Sequence, residues 1–493
     1  MELTEEQKIA VYKLNDFLVS NDHEFLLKGY AGSGKSFLIS KFIDQITNIH
    51  KHRIIVCAPT HKACKVIREK LLQMPDIKVI TVHKLLGMKK DIDENGRITF
   101  KSDGKYNVRD YDLIIIDECS MVNIYMYCKI NEKFNNTKII YVGDSEQLPP
   151  INQDLSPTFS IEEENSFELL NVMRYNNDIL ELNTYIRQNI NEKKINVKGF
   201  LNNLNAPNIL YTENPVDFNN LIKNAFMKEK DTKVLCWTNK QVDKYNDKIR
   251  RGIFGRDLKK YCNGEKLLFT SYYETNITDE ESKRYLARKF YTNDEIVATR
   301  VKIVECDKKF LREYIPQLIL EDLNIETLKL WKFDIVGSIQ EHKILYNLRR
   351  DLNKYLISDV TDIIIDYCRN TDIFCYIYKI HDDSKNDFNR ILLKLKREAI
   401  KAANQYKNNK SLGGDYMKEN AKNKWKFYYK IKDMFDAPIS YNYSNTIHRS
   451  QGSQYDYVFV DIEDINKNRK YTEKNRLLYV ATSRTVKKLI LFQ

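Results

Sequence analysis

The sequence lacks several features that would assign it to common protein classes. Its nine cysteines are scattered singly with no Cys-x-x-Cys spacing. Neither a zinc site nor a dithiol redox site is therefore predicted, and reduced buried thiols are expected. No apolar run approaches the roughly 20 residues that cross a bilayer, and the chain opens with acidic and polar residues. We expect a soluble intracellular protein with no signal peptide and no membrane partner.

The chain has the size and the ionised surface of a multidomain globular protein. Its 493 residues exceed what one hydrophobic core can organise, so three or four domains are expected. Hydrophobic residues make up 42% of the chain and charged residues 30%, which excludes disorder by composition. The 80 lysines and arginines outnumber the 68 acids, for a net charge of +12. A surplus of this sign favours nucleic acid as a partner.

Short apolar strands alternate with helical segments, a pattern that predicts a parallel sheet covered on both faces. The predicted strands of the first α/β region are residues 24–27, 53–58, 111–116 and 137–142. A second α/β pattern begins near Ser166. Its predicted strands are residues 233–237, 457–462 and 488–492. No internal repeat or proline-rich linker interrupts these regions.

The first predicted strand runs into Gly29-Tyr-Ala-Gly-Ser-Gly-Lys-Ser36 and then into a helical stretch. This spacing is typical of a phosphate loop, in which backbone N–H groups cradle phosphates and Lys35 reaches the β and γ oxygens. Ser36 would be a ligand of Mg²⁺. A glycine-rich turn is the alternative, which the flanking strand and helix disfavour. The predicted nucleotide-binding residues of this loop are Gly29, Ala31, Gly32, Ser33, Gly34, Lys35 and Ser36.

Two later strands end in polar residues that suit nucleotide hydrolysis. Leu-Ile-Ile-Ile is followed by Asp117 and Glu118, which we assign to the metal and to the attacking water, respectively. Two solvated acids after a core strand would be the alternative in isolation. The next strand leads into Gly-Asp144-Ser-Glu-Gln147-Leu-Pro-Pro. Gln147 would lie at the carboxyl edge of the sheet and sense the γ-phosphate.

These motifs together resemble superfamily 1 helicases, and Gln-Leu-Pro-Pro resembles their RecD-like and Dda-like branch. The resemblance implies an ATP site shared by two domains. It assigns Arg174, at the end of residues 167–174, to the γ-phosphate, and Arg484 to the role of an arginine finger. Gly452 would contact the nucleotide. Gln7 would bind adenine, although Thr4-x-x-Gln7 also fits a helix capping box, and both can hold.

The resemblance also implies that loops of both domains hold the phosphates of single-stranded DNA. The predicted nucleic-acid-binding residues are Pro59, Thr60, His61, Thr81, His83, Thr238, Asn239, Thr446 and His448. A polar insert around Asn95-Gly96 predicts a β-hairpin. We place a duplex-splitting wedge in residues 90–104, with Phe100 as the base-stacking residue at its tip.

The implied fold class is α/β, with two RecA-like parallel-sheet domains of the P-loop NTPase type. Residues 1–160 would form the first domain, with a small β-hairpin arm at residues 84–109. Residues 161–254 and 436–493 would form the second. Residues 255–435 would be an inserted accessory domain, with an SH3-like β module plus helices.

The implied function is ATP-dependent DNA unwinding with 5′ to 3′ translocation, with ATP and Mg²⁺ as cofactors. Expected partners are single-stranded DNA and single-strand/duplex junctions, with single-stranded-DNA-binding or replisome proteins as further candidates, and the active form is expected to be a monomer. Expected sites are the cytoplasm or nucleoid, in a phage- or virus-infected host. A superfamily 1 RNA helicase and a translocase without strand separation remain alternatives. A catalytically idle scaffold and a P-loop kinase or transport ATPase are disfavoured by the motifs.

Overall fold

The computed structural model describes residues 3–49, 53–71, 74, 76–102, 111–170, 177–228, 231–255, 258–274, 289–337, 374–409 and 414–493. The chain forms two compact units. The first comprises Met1–Lys89, Ser102–Gly255 and Tyr443–Gln493, and the second comprises Lys90–Lys101 and Arg256–Asn442.

The helices are, in chain order, α1 (Glu5–Val19), α2 (Lys35–Ile49), α3 (His61–Lys70), α4 (Val82–Leu85), α5 (Ile124–Lys133), α6 (Asn177–Gln188), α7 (Val197–Asn202), α8 (Pro215–Met227), α9 (Asn239–Phe254), α10 (Lys308–Arg312), α11 (Gln317–Asp322), α12 (Lys385–Asn408), α13 (Gly414–Phe435), α14 (Ile462–Ile465) and α15 (Tyr471–Thr482). None of these described helices is both long enough and apolar enough to span a membrane.

The strands are, in chain order, β1 (Glu24–Gly29), β2 (Ile54–Ala58), β3 (Lys78–Thr81), β4 (Met88–Ile92), β5 (Ile98–Ser102), β6 (Leu113–Ile116), β7 (Lys138–Gly143), β8 (Ser166–Leu169), β9 (Ile209–Thr212), β10 (Thr232–Cys236), β11 (Glu265–Phe269), β12 (Tyr273–Glu274), β13 (Lys289–Phe290), β14 (Glu295–Asp307), β15 (Thr327–Gly337), β16 (Phe374–Ile380), β17 (Ile439–Tyr441), β18 (Ser444–Thr446), β19 (Tyr455–Asp461) and β20 (Thr485–Phe492).

The first sheet contains six parallel strands in the order β3-β2-β6-β7-β1-β8. Strands β2 and β6 are buried along their whole length. Neighbouring residues of β1 point into different hydrophobic cores. Leu27 packs with residues of α1, α2 and α3, whereas Leu26 packs with residues of α4 and α5. Both faces of this sheet are therefore covered, as its continuous apolar strands predict.

Strand β8 belongs to the first sheet, which differs from the predicted start of the second α/β pattern near Ser166. Leu26 to Gly29 of β1 pair in parallel with Ser166 to Leu169. The edge beside β1 accepts this strand because its backbone groups are otherwise unpaired on that side. The second sheet begins only at β9, so the predicted boundary at residue 161 falls before the last strand of the first sheet.

The second sheet contains five parallel strands in the order β18-β10-β19-β20-β9. One face packs against α6 and α15 through residues such as Ile186 and Leu477. Phe218 of α8 packs against Tyr245, Phe459 and Phe492 with ring centroids 4.9–6.1 Å apart. Two covered parallel sheets confirm the predicted α/β fold class.

The second unit contains an antiparallel sheet with the order β16-β15-β14-β11-β17. Helices α12 and α13 form a helical hairpin in the same unit, and Ala402, Ala403 and Ala421 are buried where the two helices approach. Small side chains allow this close approach. Strands β11 and β14–β16 and both helices lie in residues 255–435, the segment for which a β module plus helices were predicted. Strand β17 pairs with β11 although it lies beyond residue 435, so the inserted segment continues past the predicted boundary. Residues 338–373 of that segment lie outside the described residues.

The predicted hairpin consists of β4 and β5, joined by a tight turn at residues 93–96. The Asp93 carboxylate accepts hydrogen bonds from the N–H groups of Asn95 (2.9 Å) and Arg97 (2.7 Å). Gly96 has φ +80°, a left-handed conformation that glycine adopts without steric cost. A Cβ built on Gly96 would lie 2.5 Å from the ring of Trp425 in α13, so the turn packs directly on that helix.

Two predictions for this hairpin are corrected by the structure. It groups with the inserted segment rather than with the first domain, because its turn packs on α13. Phe100 lies within β5 and not at the tip, since the asparagine–glycine pair closes the turn four residues earlier. Its side chain is 53% exposed. Residues 103–110, which include the end of the predicted wedge, lie outside the described residues.

Candidate functional site

The loop between β1 and α2 has the backbone of a phosphate loop. Gly32 and Gly34 adopt φ of +89° and +83°, conformations that L side chains rarely enter. The Lys35 ammonium donates to the carbonyl oxygens of Gly29 (2.7 Å) and Tyr30 (2.8 Å). Lys35 therefore lies over the loop at the first turn of α2, where backbone N–H groups lack partners within the helix.

Gln7 supports this loop from α1. Its Nε2 donates to the Ser33 carbonyl at 3.4 Å, and its Oε1 accepts from the Thr4 N–H at 3.2 Å. The Gln7 N–H in turn donates to the Thr4 hydroxyl at 3.2 Å, so the predicted capping box is present. A Cβ on Gly34 would lie 2.6 Å from the Gln7 amide nitrogen. Gln7 is buried and holds the loop, and its contact with adenine stays a prediction.

The two carboxylates after β6 lie beside the start of α2. Asp117 Oδ2 accepts from the Ser36 hydroxyl at 3.4 Å, and Asp117 Oδ1 accepts from the Glu118 N–H at 2.8 Å. Glu118 has φ +55°, a strained conformation for a non-glycine residue that is common at functional sites. The sequence pairs Ser36 and Asp117 as metal ligands, and the structure brings them together.

A hydroxyl and one carboxylate suit Mg²⁺, which takes few protein ligands and completes its shell with water and phosphate oxygens. The described part of the chain contains no group of three or more His, Cys, Asp or Glu side chains that could hold a metal unaided. The donors therefore fit a cation that enters with a phosphate ligand. A small cavity of about 10 Å³ opens beside them, lined in part by Ser36, Lys70 and Asp117.

Charged residues from the domains of both sheets act on the carboxyl group of Glu118. Burial raises the pKa of Glu118, and the neighbouring Asp117 raises it further. Arg484, Lys35 and Lys70 act in the opposite direction. Arg484 follows α15 of the second sheet and is only 5% exposed. Its charge therefore acts on the carboxylate that follows β6, as an arginine near a hydrolytic site would.

Arg484 is held at the end of α15 by contacts with the last turn. Its Nε donates to the Val480 carbonyl at 3.0 Å, and its Nη2 donates to the Ser483 hydroxyl at 3.0 Å. A cation at a helix C-terminus interacts favourably with the free carbonyl groups there. Gly452, at φ +72°, brings the segment before β19 close to Glu118, whose Oε1 would lie 3.9 Å from a Cβ at that glycine.

Two buried polar atoms near the loop have no hydrogen-bond partner among the described residues. They are Ser33 Oγ, in the phosphate loop, and Gln147 Oε1, in the loop after β7. A buried polar atom without a partner carries a desolvation cost, which a bound polar ligand can remove. This observation fits the assignment of both residues to a nucleotide. Arg174, the other residue predicted for the γ-phosphate, lies outside the described residues.

Sequence reasoning missed a set of contacts between α6, α15 and the loops of the first sheet. The Tyr479 hydroxyl donates to Asp144 at 2.7 Å and accepts from the Ala31 N–H at 3.0 Å. Arg187 lies over the Tyr30 ring, 3.7 Å from its centroid. Tyr479 lies five residues before Arg484, the predicted arginine finger, but no role was predicted for it. Arg187 gives a weaker signal, since it only follows Ile186 on the buried face of α6.

The predicted nucleic-acid-binding residues of the first sheet lie at the carboxyl ends of β2 and β3. The hydroxyls of Thr60 and Thr81 accept hydrogen bonds from backbone N–H groups in the first turns of α3 and α4. Pro59 precedes Thr60. Burial, together with the neighbouring charges of Arg68, His83 and Lys84, lowers the pKa of His61 to about 4. His61 is therefore neutral at neutral pH, and it lies close to His83.

The predicted residues of the second sheet lie at the carboxyl ends of the neighbouring strands β10 and β18. The Thr238 hydroxyl donates to the buried carboxylate of Asp464 at 2.9 Å and accepts from the Gln241 N–H, so it is engaged within the domain. Asn239 begins α9 and is exposed. Thr446 is buried, whereas His448 is exposed. These side chains therefore lie at one edge of the second sheet, but they differ widely in their exposure to solvent.

Comparison with known proteins locates family similarity at both ends of the first unit. Residues 17–153 match a family described as AAA domain, and residues 441–492 match the UvrD-like helicase C-terminal domain. Uncharacterized protein R530 of Acanthamoeba polyphaga mimivirus is 31% identical over 530 aligned positions, which cover 98% of each chain.

Two relatives carry functional names. The ATP-dependent DNA helicase dda of Enterobacteria phage T4 is 26% identical over 275 positions, which cover 54% of this chain and 60% of that protein. The RecBCD enzyme subunit RecD of Buchnera aphidicola subsp. Schizaphis graminum is 25% identical over 513 positions, which cover 99% of this chain and 72% of that protein.

Proposed function

The chain belongs to the superfamily 1 helicases of the RecD-like and Dda-like branch, and we propose that it moves 5′ to 3′ along single-stranded DNA and unwinds duplex DNA. Proteins of this branch hydrolyse ATP. Two relatives are viral, which supports the proposal that this protein also acts in a virus-infected cell.

The observation that carries the proposal is the approach of an arginine from one sheet to the acidic pair of the other. Ser36 and Asp117 would hold Mg²⁺, which neutralises charge on the transferred phosphate when bound. Lys35 would bind the β and γ oxygens. Arg484 would stabilise negative charge that develops at the γ-phosphate, and Gln147 would hydrogen-bond to that phosphate. Gly452 would bring the segment before β19 to the same nucleotide.

Glu118 is the proposed general base. A carboxylate that accepts a proton from water works best when its pKa is near the working pH. The raised pKa of Glu118 moves it in this direction. The strained backbone of Glu118 supports the same role, because such conformations persist where the surroundings enforce them.

Movement along the strand would come from two grips that alternate. Thr60 and His83 follow strands of the first sheet, whereas Thr446 and His448 follow a strand of the second. If nucleotide binding closes the cleft between the sheets, each cycle shifts one grip relative to the other along the phosphates. A nucleotide can drive this shift only by its differential affinity for the open and closed forms.

Strand separation would use the β4–β5 hairpin, supported by α13. The Tyr429 hydroxyl donates to the Gly96 carbonyl at 2.9 Å, and the Trp425 ring covers the same glycine. Asp91 of β4 lies 4.0 Å from the Lys426 ammonium. A wedge must resist displacement by a base pair, and contacts at its turn stiffen a two-stranded hairpin that would be marginal alone. The exposed Phe100 ring stays a proposed stacking surface.

The test of the proposed function is unwinding of partial duplexes with a 5′ or a 3′ single-stranded tail, each made as DNA and as RNA. With ATP and Mg²⁺ we expect separation of the 5′-tailed DNA alone. Lys35→Ala should abolish hydrolysis while DNA binding persists, and Lys41→Ala, an exposed lysine on the same helix, should behave as wild type. Preference for a 3′ tail or for RNA, or hydrolysis without unwinding, would contradict the proposal.

Hydrolysis should depend on pH through Glu118. The base acts when deprotonated, so kcat/KM for ATP should fall as pH decreases through the raised pKa, at a pH above the value of about 4.3 for an ordinary glutamate. Glu118→Gln should lower kcat by roughly 10²- to 10⁴-fold. Lys70→Gln removes a charge that lowers this pKa, and should move the acid limb to higher pH.

The control for this pH profile is Lys65→Gln, which removes a lysine of the same helix that is not among the groups acting on Glu118. Its acid limb should match wild type. An unchanged acid limb in Lys70→Gln, or the same limb in the residual activity of Glu118→Gln, would remove Glu118 from the role of base.

Support of the hairpin by α13 should affect unwinding more than hydrolysis. Tyr429→Phe deletes one hydroxyl, and a net hydrogen bond of about 1 kcal/mol corresponds to roughly a five-fold change in population. We expect base pairs separated per ATP to decrease by about this factor, with the DNA-stimulated ATPase rate unchanged. Tyr428→Phe is the matched control, since Tyr428 is the neighbouring residue on α13 and contacts Trp425 and Tyr429 through its ring. Equal unwinding by the two variants would count against the supported wedge.

A further inference from the structure

Helices α6 and α15, which pack against the second sheet, contact the phosphate loop through polar side chains. Tyr479 of α15 is fully buried, and its hydroxyl bridges the Ala31 N–H and the Asp144 carboxylate. Its ring packs in the apolar core of the second sheet. The same side chain therefore belongs to the core of one sheet and hydrogen-bonds to two loops of the other.

Arg187 of α6 makes the second connection. Its guanidinium stacks on the Tyr30 ring, pairs with Glu168 at 3.0 Å and lies 3.6 Å from Asp144. The side chain is only 11% exposed, so these charges interact with little screening by solvent. A planar guanidinium can stack and pair at the same time, which a lysine ammonium cannot do.

Asp144 contacts both Tyr479 and Arg187, and it lies in the loop that contains Gln147. Its Oδ2 accepts from Tyr479, while its Oδ1 accepts from the Glu146 N–H at 3.1 Å and faces Arg187. Asp144 is completely buried. Side chains of α6 and α15 therefore contact the phosphate loop at Tyr30 and Ala31. They also contact Asp144 in the loop that contains Gln147.

The segment proposed to grip DNA packs against the same helices. Ile447, between Thr446 and His448, is fully buried in the cluster that includes Ile186, Leu148 and Tyr479. The Gln451 side chain donates to the Leu148 carbonyl at 3.4 Å. A shift of this segment on binding a strand would therefore be transmitted to Tyr479 through packed side chains.

Polar contacts of this kind respond sharply to displacement. A hydrogen bond at 2.7–3.0 Å weakens steeply when distance and angle change, whereas apolar packing tolerates small sliding. The hydrogen bond from the Ala31 N–H to the Tyr479 hydroxyl would be lost if the second sheet moved away from the phosphate loop. Such contacts can distinguish two positions of the domain, which a smooth apolar interface would not do.

We propose that Tyr479, Asp144 and Arg187 form a relay that positions residues 30 and 31 of the phosphate loop. The relay connects this loop to the second-sheet domain, which consists of the second sheet and the helices packed on it, including α6 and α15. Nucleic acid bound by that domain would thereby set the rate of hydrolysis. The three side chains are positioning residues. This inference rests on the proposed function, because it supplies the physical link between the strand and the nucleotide.

The test compares ATP hydrolysis with and without saturating single-stranded DNA in wild type and two variants. Tyr479→Phe removes the bridging hydroxyl and retains the buried ring. Tyr245→Phe removes another buried hydroxyl, which donates to Asp461 at 3.0 Å inside the second-sheet domain. We expect Tyr479→Phe to reduce the stimulation by DNA about five-fold or more, the effect of one lost hydrogen bond, with the DNA-free rate within roughly two-fold of wild type. Tyr245→Phe should keep wild-type stimulation.

Arg187→Lys provides an independent second variant. It retains the charge between Asp144 and Glu168 but loses the stacked plane on Tyr30. Stimulation should again fall while DNA affinity, measured by fluorescence anisotropy, stays unchanged.

The possible results separate the relay from the proposed function. Unchanged stimulation in Tyr479→Phe and Arg187→Lys would overturn the relay and leave the helicase assignment standing. Equal loss of the DNA-free and DNA-stimulated rates would also overturn it, since a structural defect reduces both. Absence of stimulation in wild type, with or without unwinding, would overturn the relay and call for a different link between DNA and hydrolysis, while absence of all hydrolysis would reject the proposed function as well.

Discussion

Parallel strands impose the constraint on which the rest of this structure depends. Each parallel pair needs a crossover, so the loops that follow the strands gather at one edge of each sheet. The phosphate loop follows β1, the acidic pair follows β6, and Gln147 lies in the loop after β7. Distances of 80 or more residues along the chain thereby become hydrogen-bond distances, as between Ser36 and Asp117. The candidate site is a direct consequence of the sheet order.

The second consequence concerns charge. Lys35, Asp117, Glu118 and Arg484 are concentrated where two sheets of one unit meet, and none could be buried alone at low cost. Partners for them come from both sheets. A change in the spacing of the sheets therefore changes the electrostatic environment of Glu118. This dependence gives a physical reason for nucleotide chemistry to follow domain movement, in addition to the relay proposed for Tyr479, Asp144 and Arg187.

Much of the fold and site could be predicted from the sequence because the signals were local. The phosphate loop, the strand before Asp117 and the turn at Gly96 are specified by residues close together in the chain. Strand β8 was misassigned because four residues do not reveal which sheet edge they will join. The capping box at Thr4 and Gln7 was predicted, yet the hydrogen bond from Gln7 to Ser33 could not be foreseen from it.

Contacts between distant residues escaped prediction. Tyr479 and Asp144 are separated by 335 positions, and Tyr429 and Gly96 by 333. Single-sequence patterns report periodicity and local geometry, and they do not identify which buried tyrosine will meet which carboxylate. Arg187 looked like one charged residue on an amphipathic helix, and only the packed structure reveals the aromatic ring and the two acids around it.

A nucleotide and a strand of DNA are proposed to be coupled through one cleft, and the size of the coupling between the two sites tests this most directly. The dissociation constant for single-stranded DNA would be measured with and without a non-hydrolysable ATP analogue, and that for the analogue with and without DNA. We expect each ligand to change the dissociation constant of the other by about 5- to 150-fold, and the two ratios must agree because binding linkage is reciprocal. A ratio of one in both titrations would contradict it.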